Sequence, residues 1–275
     1  MNFFGTKEIK THVNRWVRDH AESLKDKVVV DFPAGNGVSS RSLKDVGAQV
    51  KPFDLLPDLF NVDGLVCEFA DLAQSSPLKN ASVDFVLCQE GIEHVADQGF
   101  VFREFSRALK VGGRLVVTTP NYSNLKSRLS YLFCESEYFG KLMPPNEIDR
   151  LWLTSKNQDA IYYGHVFLVG FFKLRLWAEL AGFKITRIHS TRVNTTSLLM
   201  FPVLYPFIFF FNWKIYRRAL RKNKPNPLWK ELFRHSVDPR ILLENHLFIE
   251  FEKIKEPAAK LAELRLNTQT AEYVT

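Results

Sequence analysis

Two histidines, a set of acids at strand ends and one glycine turn are the residues of this chain whose types and spacing could do chemistry. Histidine has an ordinary pKa near neutrality, so it can take a proton from a weakly acidic hydroxyl. His94, in Gln89-Glu-Gly-Ile-Glu-His94-Val95, and His165, in Tyr162-Tyr-Gly-His165-Val-Phe167, are the candidates for that role. Core packing or helix capping would account for either without chemistry. Asp31, Asp54, Asp71 and the Gln89-Glu90 pair stand where a ligand's polar groups could be read. An ionised carboxylate accepts with two oxygens. Between Asp31 and Val38 lies Phe-Pro33-Ala-Gly35-Asn-Gly37, a turn whose glycines let backbone approach a nucleotide-like ligand.

These residues need elements to hold them. Val28-Val-Val-Asp31 is β-branched and ends in the glycine turn, which reads as a buried strand followed by a helix from Val38 to Leu43. Ile9, Val13, Trp16, Val17 and Leu24 recur at helical spacing ahead of it. Further strands are expected at Gln49–Asp54, Leu65–Phe69, Ser82–Cys88 and Arg114–Thr119, the last stopped by Pro120. Helices are expected at Phe100–Leu109 and Phe171–Leu180, and the last two strands at Phe183–Ile188 and Leu247–Ile254. Strands alternating with helices imply parallel pairing in an open, doubly wound sheet, with the ligand beyond the carboxyl ends of the strands.

Asp54 follows Asp31 by 23 residues and is placed to accept both hydroxyls of a ribose, with Leu55 beside it. A solvated loop acid is its plain alternative. Asp71 could accept from an exocyclic adenine amine while Leu72 packs on the ring, or it could cap the next turn. The turn is not a dinucleotide fingerprint, because Pro33 stands where an earlier glycine belongs.

Together these segments resemble the class I S-adenosylmethionine-dependent methyltransferases over about residues 25 to 190, with the last strand in addition. Val28–Gly37 is similar to the family's cofactor loop, Phe53-Asp54 to its ribose acid and Ala70-Asp71-Leu72 to its adenine contact. Val83–Val95 is similar to its post-fourth-strand segment, and Leu109-Lys-Val-Gly-Gly-Arg-Leu-Val-Val117 to its entry to strand five. The resemblance implies a Rossmann-like, mostly parallel seven-stranded α/β sheet with an antiparallel last strand. It implies S-adenosyl-L-methionine as cofactor, bound by Asp31, Pro33, Gly35, Gly37, Asp54, Leu55, Asp71, Leu72, Gln89 and Glu90. Pro33 departs from the family's glycine and offers no N–H, which is harmless where its carbonyl faces the ligand. Because the donor is a sulfonium, positioning is the main contribution to methyl transfer, and a hydroxyl acceptor gains from a base such as His165 or His94.

A single domain over 1–275 is expected, with an N-terminal helix in 1–26, a cofactor half in 27–119 and an acceptor-site segment in 120–170. A hydrophobic and basic helical insertion in 194–244 separates the last two strands. It opens with Ser197–Phe211, 15 residues without a charge that include Pro202 and Pro206. That is too short and too interrupted to read as a spanning helix. Lys214, Arg217, Arg218, Arg221, Lys222 and Lys224 follow and carry most of the net charge of +7. Apolar residues beside such a cluster, over 198–224, suit an anionic membrane surface, and a lid or dimer contact is the other reading.

Three dispersed cysteines give no metal spacing and fit a reducing compartment. The expected location is cytoplasmic, with peripheral attachment to the inner face of the membrane. Nucleic acid is not expected as substrate, since Cys88-Gln-Glu-Gly91 replaces the proline motif of amino-methylating enzymes of DNA. The acceptor is therefore expected to be small or lipid-linked, with O-methylation of a sugar or lipid-linked glycan favoured. N- or C-methylation of a lipid or quinone-like molecule is the second expectation. A binding protein that has kept the fold and lost catalysis is the third.

Overall fold

The computed structural model describes residues 6–136, 143–148, 150–152 and 162–269. Part of the segment at 120–170 therefore lies outside the described residues. Five parallel strands come first: β1 (Val28–Asp31), β2 (Gln49–Asp54), β3 (Glu68–Phe69), β4 (Val83–Gln89) and β5 (Leu109–Pro120). A two-stranded ribbon of β6 (Leu151–Trp152) and β7 (Tyr162–Tyr163) follows, and sequence reading gave no sign of it. The sheet is completed by β8 (Phe183–Ile188) and β9 (His246–Lys253). Its order is β3-β2-β1-β4-β5-β9-β8, and β9 runs antiparallel to both neighbours. The expected third strand shrinks to two residues. Both are exposed at the sheet edge, where there is little apolar surface to bury.

Alternation along the strands divides the core in two. Val29, Phe85, Leu87, Val116 and Phe248 face α1 (Thr6–Asp19) and α3 (Val38–Asp45), with α2 (Ala21–Leu24) between those helices in sequence. Ile9, Val13, Trp16 and Val17 of α1 are buried there, as their helical spacing requires. Val30, Val86, Cys88, Val117, Ile249 and Phe251 face the other side. They pack against Phe102 and Phe105 of α4 (Gln98–Ala108) and Phe171 and Leu174 of α6 (Phe171–Leu180). The parallel strands β1, β2 and β4 thus bring their carboxyl ends to one rim, where Asp31, Asp54 and Gln89 sit.

The insertion is helical, as expected, but it is less broken than its sequence suggests. Pro202 and Pro206 do not interrupt it: both lie inside α7, a continuous helix from Thr195 to Lys222 of 28 residues. At 1.5 Å per residue it is about 42 Å long. By length and composition it could cross a membrane. Its N-terminus is capped by Asn194, whose Oδ1 accepts from the Ser197 amide at 2.9 Å. One face, Met200, Phe201, Leu204, Tyr205 and Ile208, packs on Leu125 of α5 (Leu125–Cys134) and on Leu242 and Leu243. Phe209 and Tyr216 pack on Phe233 of α8 (Pro227–Ser236). The short α9 (Pro239–Leu243) returns the chain to β9, and α10 (Pro257–Gln269) follows.

Candidate active site

The site is built at the β1, β2 and β4 ends. Ser40 Oγ donates to Asp31 Oδ2 at 2.6 Å, so the first turn of α3 is tied to the end of β1. Asp31 Oδ1 is buried and has no hydrogen-bond partner among the described residues. Burial, followed by the charge of Asp54, raises the Asp31 pKa to about 7 against the opposing Ser40 hydrogen bond. Asp54 holds the glycine turn itself. Its Oδ2 accepts from the Gly35 amide at 2.7 Å and its Oδ1 from the Leu56 amide at 2.8 Å, with Leu55 between. Each oxygen keeps a second lone pair for a hydroxyl.

The two glycines serve different ends. Gly37 has φ +85°, and a Cβ there would fall 2.3 Å from Val62 Cγ2, so only glycine fits. A Cβ on Gly35 would project into open space, which leaves room above the turn for a ligand. Pro33 turns its ring toward the end of β4, against Gly91 and beside Leu72. Asp71 closes its own turn by accepting from the Ala73 amide at 2.8 Å, the capping behaviour that competes with a ligand role.

Gln89 and Glu90 point different ways. Gln89 Oε1 accepts from Ser39 Oγ at 2.7 Å and stays with the glycine turn. Glu90, at φ +52°, reaches the β5–β9 side. There its Oε1 accepts from Thr118 Oγ1 at 3.0 Å, and its Oε2 lies 3.5 Å from His246 Nε2. Burial and the neighbouring Glu93 hold its pKa well above the carboxylate range.

The two candidate histidines come together, with ring centroids 5.3 Å apart. His94 Nδ1 donates to the carbonyls of Tyr163 and Gly164 at 2.9 and 3.1 Å, which fixes the ring. Gln98 Nε2 donates to Ile92 O at 3.1 Å and Phe167 O at 2.5 Å, so the His165 segment is fastened to the turn that carries His94. Burial, then the charges of His94, Arg150 and His246, depress the His165 pKa to about 4. His165 is therefore neutral at pH 7. Sequence reading passed over Glu93, which is fully buried and accepts from Thr119 Oγ1 at 3.0 Å. It also passed over His246 and Gln98. The Glu90-x-x-Glu93-His94 spacing was the available signal for Glu93.

An open α/β sheet with one antiparallel strand, a glycine turn after β1 and an acid ending β2 define a class I S-adenosylmethionine-dependent methyltransferase. The chain belongs to the methyltransferase domain family, whose model matches residues 7–188. Its cofactor is S-adenosyl-L-methionine. The rim fits that molecule, since the room above Gly35 and the partnerless Asp31 oxygen offer space and an acceptor to a cationic nucleoside.

Among similar curated proteins, the ubiquinone biosynthesis O-methyltransferase of Xanthomonas oryzae pv. oryzae is 34% identical over 128 residues, 42% of this chain and 52% of that protein. That of Paraburkholderia phymatum is 32% identical over 146 residues, 49% of this chain and 61% of that protein. The chain thus spans only about half the length of these relatives. A S-adenosylmethionine-dependent methyltransferase of known structure from Archaeoglobus fulgidus shares the fold, with TM-score 0.53, 15% identity, and 91% of this chain and 98% of that one covered.

Proposed function

We propose that this enzyme methylates a hydroxyl oxygen on a quinone-like ring carried by an amphipathic, lipid-like molecule. The carrying observation is the pair of His94 and His165, one face of which is fixed by backbone carbonyls while His165 is held neutral. A neutral imidazole beside the reacting oxygen can accept its proton, and the negative charge that develops on that oxygen raises the depressed His165 pKa as it does so. The names of the relatives favour a quinone-like ring, and so replace the sugar or lipid-linked glycan expected from sequence.

S-Adenosylmethionine supplies a methyl group already activated on a sulfonium. The chain's own work is placement, which contributes roughly 7–11 kcal/mol in well-oriented reactions. Asp54 and Leu55 take the ribose end, Leu72 and Asp71 the adenine, and Asp31 with the Pro33–Gly37 turn the methionine end. Glu90 and His246 lie on the acceptor side, with His94 and His165. The exposed face of α7 lets the enzyme lie on a membrane where such an acceptor resides.

The test is an assay of the full chain with S-adenosylmethionine and two acceptor sets, hydroxylated aromatic rings with alkyl tails and lipid-linked sugars. Methyl gain by mass spectrometry on the aromatic set alone is expected. His165→Ala should then lower turnover by about 10²–10⁴-fold, the usual range for a positioned base. Transfer to the sugars alone would overturn the ring assignment, and full turnover by His165→Ala would remove its catalytic role.

A further inference from the structure

On the α1 face of the sheet, a cleft of about 380 Å³ opens between that helix and the end of β8. His12, Arg15, Trp16, Asp19 and His20 line it along one side of α1, at helical spacing. Arg187 of β8 and His189, just after that strand, line it from across, with the buried Phe248 of β9. Rings run continuously along this wall. His20 stacks on Trp16 at 4.3 Å, the two meet His189 edge-on at 6.5 and 6.4 Å, and His189 lies 4.7 Å from Phe248. None of the cofactor or acceptor residues named above lines this cleft.

Its charge is unbalanced. Arg15 and Arg187 are exposed, and neither guanidinium has a hydrogen-bond or carboxylate partner among the described residues. Asp19 is the one acid among the lining residues. Glu250, beside His189, is already taken up: it accepts from His189 Nε2 at 3.0 Å and meets Arg114 at 3.3 Å. His20 Nδ1 donates to the Trp16 carbonyl at 2.8 Å. The second nitrogen of each of these two rings has no partner among the described residues.

We propose that this cleft binds a small phosphate monoester with a ring-sized organic part. Arginine forks match phosphate oxygens, and a phosphate that bridges Arg15 of the helix to Arg187 of the strand neutralises both. Its three terminal oxygens serve more donors than a carboxylate does. With a second pKa near 6, the monoester can also bring a proton to an imidazole nitrogen that has none. The cleft falls among small-molecule sites, roughly 300–1,000 Å³, and so has room for more than a free phosphate. The ring wall offers apolar contact to the rest of the ligand. The site does not depend on the methyl acceptor, and its binding is read without one.

The test is calorimetry on the full chain, saturated with the demethylated cofactor so that the rim is filled. One equivalent of phenyl phosphate should bind at low salt, at least tenfold more tightly than benzoate or inorganic phosphate. Arg15→Gln and Arg187→Gln should each weaken it at least tenfold. Arg18→Gln, exposed on the same helix but outside the cleft, should leave it unchanged. Retained binding of the demethylated cofactor reports that each variant is folded. No binding of phenyl phosphate overturns the site. Equal loss in Arg18→Gln, or none in Arg15→Gln and Arg187→Gln, means attraction to surface charge alone and overturns it too. Benzoate or inorganic phosphate bound as tightly as phenyl phosphate overturns the monoester.

Discussion

The ring of Pro33 occupies the space that a side chain at Gly91 would need: a Cβ there would fall 2.4 Å from Pro33 Cδ and 3.1 Å from Leu72 Cδ1. The loops after β1 and β4 are therefore fitted to each other, and the proline that breaks the glycine pattern has its partner in a glycine 58 positions on. Gly91→Ala should push these loops apart and cost about 1–3 kcal/mol, as overpacking does. The loss should appear as weaker binding of the demethylated cofactor by calorimetry. Adding Pro33→Gly should restore most of it. A double variant no better than Gly91→Ala would show that the contact does not govern the turn.

Asp31, if it faces the cofactor as proposed, should make cofactor binding pH-dependent. Its pKa is raised to about 7, first by burial and, against the Ser40 hydrogen bond, also by Asp54. A cationic ligand nearby favours the ionised form and pulls that pKa down. Below about pH 7 the proton must be displaced before the carboxylate can pair, so affinity for S-adenosylmethionine should fall as pH drops from 8 to 6 and level off above about 8. Calorimetry in buffers of different ionisation enthalpy should register proton release near pH 6.5. Asp31→Asn should bind more weakly at pH 8 with a flat profile, and a wild-type profile that is itself flat would refute the assignment.

The rim was legible because its residues are local. Val28-Val-Val-Asp31, the glycine turn and Asp54 each announce themselves within a few residues, and backbone amides then bring them into one loop cluster. The cluster around Glu90 and Glu93 was not. Glu93 meets Thr119, and Glu90 meets His246, only after β5 and β9 are paired in the sheet, so no window of sequence contains the arrangement. Asp71 is ambiguous for a different reason, since a capping acid and a ligand-reading acid have the same local pattern. The helix over Pro202 and Pro206 was misread because proline counts as a breaker in isolation. Packing of Phe201, Leu204, Tyr205 and Ile208 holds the helical path through it.

Gln98 tethers the segment that carries His165 to the turn after β4, which makes it a positioning residue for the proposed acceptor side. It is buried, and its one amide group donates to carbonyls on both the Ile92 turn and the Phe167 loop. Gln98→Leu keeps the bulk and removes both bonds, leaving two carbonyls to find water at about 1–3 kcal/mol each. The expected signature is a tenfold or greater fall in kcat/KM for the acceptor, with KM for S-adenosylmethionine little changed. Gln98→Asn, too short to reach both, should not rescue it, whereas Gln98→Glu should also fail because a carboxylate faces two acceptors. Equal loss of both substrates would make the residue merely structural.

The outer face of α7 should bind anionic lipid. Leu199, Val203, Phe207 and Phe210 are exposed along one stripe, at 75%, 67%, 60% and 52%, and Lys214, Arg217 and Arg221 continue it on the same side at helical spacing. The opposite face is already committed to α5, α8 and α9, so the enzyme presents one side of this helix and keeps the other. A second copy paired in parallel through the same stripe would set these cations against each other, whereas a bilayer takes the apolar part and anionic headgroups take the charges. Each near-surface basic residue contributes about 1 kcal/mol, so Lys214→Gln, Arg217→Gln and Arg221→Gln together should weaken vesicle binding by roughly 100-fold. Flotation with phosphatidylglycerol vesicles should show that loss, and 0.5 M salt should mimic it in wild-type protein. Phe207→Ser with Phe210→Ser should reduce binding to neutral and anionic vesicles alike. All five changes lie on the outer face, so cofactor-product binding should be retained. Unchanged flotation in both variant sets would mean that this stripe contacts protein instead.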